Sequence, residues 1–275
     1  MKKYIILLPI VALLLSACKH DEPNAKYAVT FKLPQVSVNT EPMDSPRKAP
    51  ILTDDDGKQM TDLILFDCST YLLRQQNTDP EFGTITVMLT AGTHNLHFIA
   101  TRSEGLDYTD GMLTCTSLKP TFGDHYTINV TGSSDEYVTM ERITGQVVVT
   151  IEDEIPADAK SLRIQFGDFY TSIDPTTFNA TRTGAYDTSV DISGKAGKSG
   201  QSFTINILAP NYGVEHTTSF TLTAKNTSGT IIGQATGTMP ICSNTKTLLH
   251  GNLFTGTRSF ISISTAWNAD KDASF

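Results

Sequence analysis

Apolar and polar side chains alternate residue by residue in short runs along most of this 275-residue chain. Successive side chains of a β-strand point to opposite faces, so such alternation is typical of strands that bury one face. The runs include Tyr27/Val29/Phe31/Leu33, Ile85/Val87/Leu89, Leu96/Phe98/Ala100, Val147/Val149/Ile151, Leu162/Ile164/Phe166, Phe203/Ile205/Ile207 and Phe220/Leu222/Ala224. No stretch holds a convincing helical period, and the one candidate for a helical turn is Asp110 to Leu118.

The turns and the threonine content point to the same fold class. Threonine makes up 40 of the 275 residues, and its branched Cβ favours strands over helices. Clusters of Gly, Asn, Asp and Ser such as NVTGSSD and NTSGT separate the runs. Short strands at this spacing predict an all-β protein built of mostly antiparallel sandwiches, and not a parallel α/β sheet.

The N-terminus has the pattern of an export signal. Lys2 and Lys3 precede an apolar segment, Tyr4 to Leu15, that is too short to cross a bilayer as a stable helix. Leu15-Ser16-Ala17-Cys18 resembles a bacterial lipobox, in which the cysteine is lipidated and becomes the first mature residue. We therefore expect residues 1–17 to be a signal peptide and Cys18 to carry lipid. An ordinary signal peptide with an incidental cysteine is the alternative.

The length of the chain limits its domain organisation, and its net charge limits its partners. After residue 17 the mature chain has a net charge of 19 − 29 = −10, because Lys2 and Lys3 are lost, so nothing attracts it to nucleic acid. The length suits two domains, and the break with the strongest turn signals is Val130 to Glu136. We predict domains at 18–138 and 139–275. A Pro-rich linker, 39–56, isolates the first strand from the rest of the first domain.

Three cysteines follow Cys18, at positions 68, 115 and 242. An exported protein can keep disulfides, and a Cys68–Cys115 bridge is one option, but an odd cysteine would remain. The other option is that all three are small, buried apolar residues.

The sequence offers few candidate chemical sites, and each has a plainer explanation. GKAGKSG at 194–200 lacks the first glycine of a phosphate-binding loop and precedes a strand pattern where that loop needs a helix. His94 and His97 would point to opposite faces of one strand, so they cannot share a metal ion. The DDDG run at 54–57 lacks the alternating acids of a calcium loop and suits a turn.

Paired carboxylates are the remaining candidate for catalysis. Glu152, Asp153, Glu154 and Asp158 lie in one Pro-containing segment, whereas glycoside hydrolysis needs two carboxyl groups facing each other across a cleft. We expect a solvated rim. The sequence therefore predicts no enzyme, no metal site and no cofactor.

Several strand segments together resemble a known family. They are ERITGQVVVTIEDEIPADAKSLRI (141–164), TKTLLHGNLF (245–254), LILFD, AGTHNLHFIATR and YAVTFKL. In this order they are similar to the fimbrial lipoproteins of Bacteroidetes, in the FimB-type anchor or minor-subunit branch of the fimbrillin superfamily.

That resemblance implies two transthyretin-like β-sandwiches behind a lipidated (palmitate-bearing) leader, on a protein held at the outer membrane. It also implies that the partners are other fimbrial subunits, joined when one subunit inserts a strand into the open groove of another. Lys19, Asp21 and Glu22 look like the signals that send such lipoproteins to the cell surface. No catalytic residue is implied.

The resemblance leaves the role within a fimbrium open. Stalk fimbrillins are cut after an arginine that follows the first strand, and Arg47 in SPRKAP lies at the corresponding place. Anchor subunits keep the strand, whose Tyr27, Val29, Phe31 and Leu33 have the spacing to fill the groove from within. We favour an anchor or accessory subunit.

A third role is a surface glycan-binding lipoprotein. That role favours exposed aromatic rings that stack on sugars, and the chain has a single tryptophan, Trp267.

Overall fold

A computed structural model of the chain describes residues 25–33, 52–54, 57–255 and 260–266. Nearly all regular structure in these ranges is β-strand, and a 3₁₀ turn at Ser193–Lys195 is the one helical element among them. The predicted all-β class is confirmed. Cys18, Arg47, Trp267, the signal peptide and most of the 39–56 linker lie outside the described residues.

Eight of the ten strands of the first half form two sheets that face each other. The strands are β1 (Lys26–Lys32), β2 (Asp62–Asp67), β3 (Thr70–Gln76), β4 (Thr84–Thr90), β5 (Gly92–Thr101), β6 (Asp107–Thr109), β7 (Met112–Thr114), β8 (Thr121–Val130), β9 (Ser134–Tyr137) and β10 (Glu141–Arg142). One sheet has the order β4-β1-β9 and the other β10-β8-β5-β2-β3. Val29 and Phe31 from the first sheet pack with Leu65 and Phe98 from the second in one buried cluster, so this half is a β-sandwich.

The second half repeats this architecture. Its strands are β11 (Gly145–Ile151), β12 (Ala159–Ile173), β13 (Ala180–Asp191), β14 (Gln201–Ile207), β15 (His216–Asn226), β16 (Ile231–Ile241), β17 (Thr245–Gly251) and β18 (Phe260–Ala266). One sheet is β14-β11-β17-β18, and the other is β16-β15-β12-β7-β6 with β13 also paired to β12. A second core, which includes Val147, Ile164, Phe166 and Leu222, fills the space between them.

The two sandwiches share one strand topology. The strands β1–β5, β8 and β9 correspond in order to β11–β17, because each pairing of the first set recurs in the second. In particular, β1 lies between an antiparallel neighbour, β4, and a parallel neighbour, β9. In the same way β11 lies between antiparallel β14 and parallel β17. The chain is therefore a tandem repeat of one sandwich.

Each half sends a segment into the other. The β6–β7 hairpin arises between β5 and β8 of the first sandwich, yet β7 pairs with β12 of the second through Leu113↔Ile173 and Thr114↔Ser172. In return, the turn after β12 lays the ring of Phe178 on His125 of β8, with 4.0 Å between ring centroids. A third buried cluster, which includes Phe66, Ile99, Tyr170 and Phe178, fills the junction.

This junction explains the continuous apolar run in LILFD. Leu63 and Leu65 point into the first core, while Ile64 and Phe66 point into the junction cluster, so both faces of β2 are buried. The boundary after residue 138 remains a proposal: β9 ends at Tyr137 and β11 begins at Gly145, but β10 between them still pairs with β8.

The candidate helical turn at 110–118 was a wrong prediction. Asp110 and Gly111 both have positive φ, at 52° and 79°, and they form the tight turn of the β6–β7 hairpin. Asp-Gly is a preferred pair for a two-residue hairpin turn in which both residues have positive φ.

The cysteines are free where the structure describes them. Cys68 is exposed at the β2–β3 turn, so the expectation that all three are buried was wrong for it. Cys115 and Cys242 are half-buried, and burial raises the pKa of both thiols. A Cys68–Cys115 bridge is not formed.

Gly123 gives a test of the junction between the sandwiches. A Cβ at this position would lie 2.5 Å from the ring of Phe178, so Gly123→Ala should force that ring off β8. We expect a loss of about 1–3 kcal/mol in the free energy of unfolding, measured by denaturant titration. Gly132→Ala is the control because nothing lies within 4 Å of its Cβ position. A Gly123→Ala effect no larger than that of Gly132→Ala would contradict this description of the junction.

Candidate functional site: the groove that holds the first strand

The strand β1 fills the space between two strands that do not pair with each other. It pairs with β4 along its whole length, from Lys26↔Thr90 to Lys32↔Thr84, and with β9 from Val29↔Ser134 to Lys32↔Tyr137. We call the space that β1 occupies between β4 and β9 the strand groove. Without β1, the inner edges of β4 and β9 would both expose unpaired N–H and C=O groups.

Backbone hydrogen bonds close both ends of the strand groove. The N–H of Leu33 donates to the carbonyl of Gly83 (2.9 Å), and the N–H of Ala91 donates to the carbonyl of Ala25 (3.0 Å). On the β9 side, the N–H of Val138 donates to the carbonyl of Lys32 (3.1 Å). The strand is thus bonded from one end to the other.

The inward side chains of β1 lie in the first core. Val29, Phe31 and Leu33 are fully buried, and the ring of Phe31 makes edge contacts with Phe98 at 5.2 Å and with Tyr126 at 5.9 Å. Tyr27 is half-buried at the border of the same cluster. Full burial of such side chains is worth about 1.5–3 kcal/mol each, so the groove releases this strand only against a large apolar penalty.

Tyr126 links the strand groove to β9. Its hydroxyl donates to the Glu136 carboxylate at 2.7 Å, which holds the ring against Phe31. Burial and the bond to that carboxylate both disfavour the phenolate, and together they raise the pKa of Tyr126 to about 12. The phenol therefore stays a hydrogen-bond donor over the whole neutral range.

Polar contacts cover the outer face of β1. Lys32 pairs with Asp135 at 2.6 Å, and its ammonium group lies 5.9 Å from the ring centre of Tyr137. The hydroxyl groups of Thr30 and Thr86 lie 2.9 Å apart. These groups are solvated, so they set the register of the strand more than they stabilise it.

The strand of the second sandwich that corresponds to β1 is β11, and its connections are short on both sides. Only residues 143–144 separate β11 from β10, and 152–158 lead from it to β12. In contrast, residues 33–61 lie between β1 and the next strand, β2. The connection between β1 and β2 is therefore much longer than either connection of β11.

His94 and His97, the two histidines considered as metal ligands, have different partners in the structure. His94 lies 2.5 Å from Asp67; burial lowers its pKa, but bonds to Asp67 and to the Thr90 carbonyl outweigh burial and raise it. His97 contacts His125 edge-on at 4.7 Å, and burial together with that neighbour lowers its pKa. They lie on opposite faces of β5, as predicted.

The other candidate sites of the sequence also have structural roles. The GKAGKSG segment overlaps the 3₁₀ turn and leads into β14, where the following residues had a strand pattern. Asp54 begins a turn, since its carbonyl accepts the N–H of Gly57 at 2.9 Å. Across the described ranges, no group of three His, Cys, Asp or Glu residues is placed to hold a metal ion.

Three of the carboxylates at 152–158 bond to separate partners, and Asp158 accepts from the side chain of Asn226 at 3.1 Å. Asp153 accepts the backbone N–H groups of Leu253, Phe254 and Thr255; burial opposes ionisation, but these bonds prevail and lower its pKa. Glu152 instead pairs with His250 at 2.7 Å. Asp153 therefore fixes the position of the segment after β17. The expectation of a solvated rim did not foresee this structural role.

Solved structures with a similar fold exist. A Bacteroides ovatus protein provisionally named an adhesin aligns with a TM-score of 0.50 at 9% identity, over 79% of this chain and 84% of that one. A Bacteroides uniformis protein provisionally named a cell adhesion protein gives 0.48 at 11% identity, over 89% and 100%. The fimbrial anchor protein Mfa2 from Porphyromonas gingivalis gives 0.46 at 10% identity, over 88% and 98%.

No protein-family model and no curated protein matches the chain. At 9% identity and a TM-score of 0.50, the Bacteroides ovatus protein shows a shared fold. In the part of the chain that the structure describes, there is also no apolar helix of membrane-spanning length.

Phe31 allows a test of the strand groove. Phe31→Asp would bring an unpaired carboxylate into the first core, so we expect the first sandwich to lose at least about 3 kcal/mol of its free energy of unfolding. Ala28→Asp is the matched control, because Ala28 lies on the outer face of the same strand, opposite Met88 of β4. Denaturant titration of both variants checks this, and equal effects would show that the inward face of β1 does not hold the sandwich together.

Proposed function

We propose that this protein is a lipid-anchored fimbrial subunit, of the anchor or accessory kind, that joins other fimbrial subunits by β-strand exchange. The observation that carries the proposal is the strand groove, which an N-terminal segment of the same chain fills with three fully buried side chains. Adding a strand satisfies exposed sheet edges, while alternate side chains fill pockets and give specificity. The fold shared with the Bacteroides ovatus adhesin is consistent with a surface role in adhesion.

The order of features along the chain connects anchoring with strand exchange. Cys18 precedes β1, and Arg47 follows it, so a cut after Arg47 would remove the lipid attachment point and the groove-filling strand together. An uncut molecule keeps both. It is tethered and its strand groove is closed, so it can be extended only through another surface, as an anchor requires.

The order of Cys18, β1 and Arg47 along the chain also distinguishes an anchor subunit from a stalk subunit. A stalk subunit needs an open groove to accept the next subunit, and that requires the cut. We favour the uncut form, held in the outer membrane by lipid on Cys18 and exposed at the cell surface. Two or more acyl chains are needed for stable attachment, since each buried CH₂ contributes only about 0.8 kcal/mol.

The N-terminus of the protein made by the cell distinguishes these roles. We expect mass spectrometry of the outer-membrane fraction to find a lipidated Cys18 as the first residue, and Cys18→Ser to release the protein or leave its leader uncut. A start at Lys48 would instead assign a stalk subunit cleaved after Arg47. An unmodified Cys18 in the mature protein would contradict the lipid anchor.

Assembly itself is tested by cross-linking on intact cells. We expect the protein to be recovered attached to other fimbrial subunits. Recovery without any of them would contradict the fimbrial role.

A further inference from the structure

A cleft lies between two edge strands, β3 and β6, that belong to different sheets. The strand β3 is the edge of the five-stranded sheet, and β6 is the edge of the sheet that extends from the second sandwich. Between them lies a cleft of about 300 Å³, lined by Tyr71, Arg74, Asp107 and Tyr108 above the buried side chains of Ile64 and Leu113. Its volume is at the lower end of the range for small-ligand sites.

Two tyrosines form an aromatic platform in this cleft. The rings of Tyr71 and Tyr108 lie 26° from parallel with 6.3 Å between their centroids, and both contact the buried ring of Phe66, at 5.9 and 4.9 Å. The Tyr108 hydroxyl donates to the carbonyl of Ser69 at 2.7 Å, which fixes that ring. Tyr71 remains 45% exposed although it is large and aromatic.

A shift in the β2–β3 register places Tyr71 there. The pairing runs from Leu65↔Leu73 to Phe66↔Tyr71, so β3 has one extra residue, Leu72, opposite β2. Bulges of this kind redirect side chains and are frequent beside binding sites. The shift brings Tyr71 beside Phe66 on the junction side of the sheet.

Charged groups flank the aromatic platform. Arg74 donates through Nε to the buried Asp62 carboxylate at 2.7 Å, which holds the guanidinium in one orientation. Asp107 supplies an exposed carboxylate on the opposite strand. A fixed guanidinium donor and a carboxylate acceptor beside a ring face can bind the hydroxyl groups of a polyol.

Arg74 also borders a second, more polar cleft. That cleft has a volume of about 420 Å³ and includes Glu104 and Lys119 in its lining. Since both clefts share Arg74, a ligand longer than one ring could pass from the aromatic platform into the polar cleft.

We propose that the two clefts form a carbohydrate-binding site for an oligosaccharide, with one pyranose ring on Tyr71. The apolar face of a pyranose matches an exposed tyrosine ring, and its hydroxyl groups match Arg74 and Asp107. The site lies on different sheets from the strand groove, because β3 and β6 belong to other sheets than β4, β1 and β9. It adds a ligand to the proposed surface role and does not depend on strand exchange.

The test begins with the full mature chain on an array of glucose-, galactose- and mannose-containing saccharides, from monosaccharides to hexasaccharides. The strongest ligand is then titrated calorimetrically against variants. We expect Tyr71→Ala to weaken binding about tenfold and Tyr71→Phe, which keeps the ring face, to bind like the wild type. Oligosaccharides should bind more tightly than their monosaccharides.

Ile231→Ala is the matched control, because Ile231 is an apolar side chain that is 51% exposed on β16 and lines neither cleft. It should leave binding unchanged, and melting curves should show that every variant is folded. The proposal is overturned if no saccharide binds, if Tyr71→Ala binds as tightly as the wild type, or if Tyr71 is needed for contact with another subunit and not with a saccharide. None of these results bears on the strand groove, which the cross-linking test addresses separately.

Discussion

The pairing of β1 with two strands that have no other contact on that side is the interaction on which the first sandwich depends. An antiparallel partner, β4, and a parallel partner, β9, are both completed by a strand from the far N-terminus. Backbone groups deprived of a partner are costly unless water reaches them, and Phe31 fills the core beneath them. A supplied strand of the same pattern would restore the same bonds, so we propose that loss of β1 would open this sandwich to the strand of another subunit.

Buried contacts join the second sandwich to the first. Its matching strand, β11, is enclosed between short connections, and the β6–β7 hairpin and Phe178 join the two halves through a shared apolar cluster. The two sandwiches are therefore coupled along this junction. Gly123 makes this possible, since any side chain there would displace Phe178.

The sequence predicted the strands far better than their partners. Alternation in YAVTFKL identified β1 and its buried face, because side-chain direction in a strand depends only on local geometry. The parallel pairing with β9 joins residues about a hundred positions apart, and no local pattern encodes it. The Asp110-Gly111 turn was readable from its residue types but was missed. The aromatic platform was also missed, because Tyr71 reaches Tyr108 only through a bulge and a hairpin exchanged between the halves.

The central claim is that residues 25–33 act as a replaceable strand, and complementation measures this directly. The melting of a chain that begins at Leu52 is compared with and without a synthetic peptide of residues 25–33. The account predicts that the first sandwich melts at a lower temperature without the strand, and that the peptide raises this transition in a concentration-dependent way, whereas a Phe31→Asp peptide does not. A first transition that is unchanged by loss of the strand, or a lowered one that the peptide fails to raise, would contradict strand exchange through this groove.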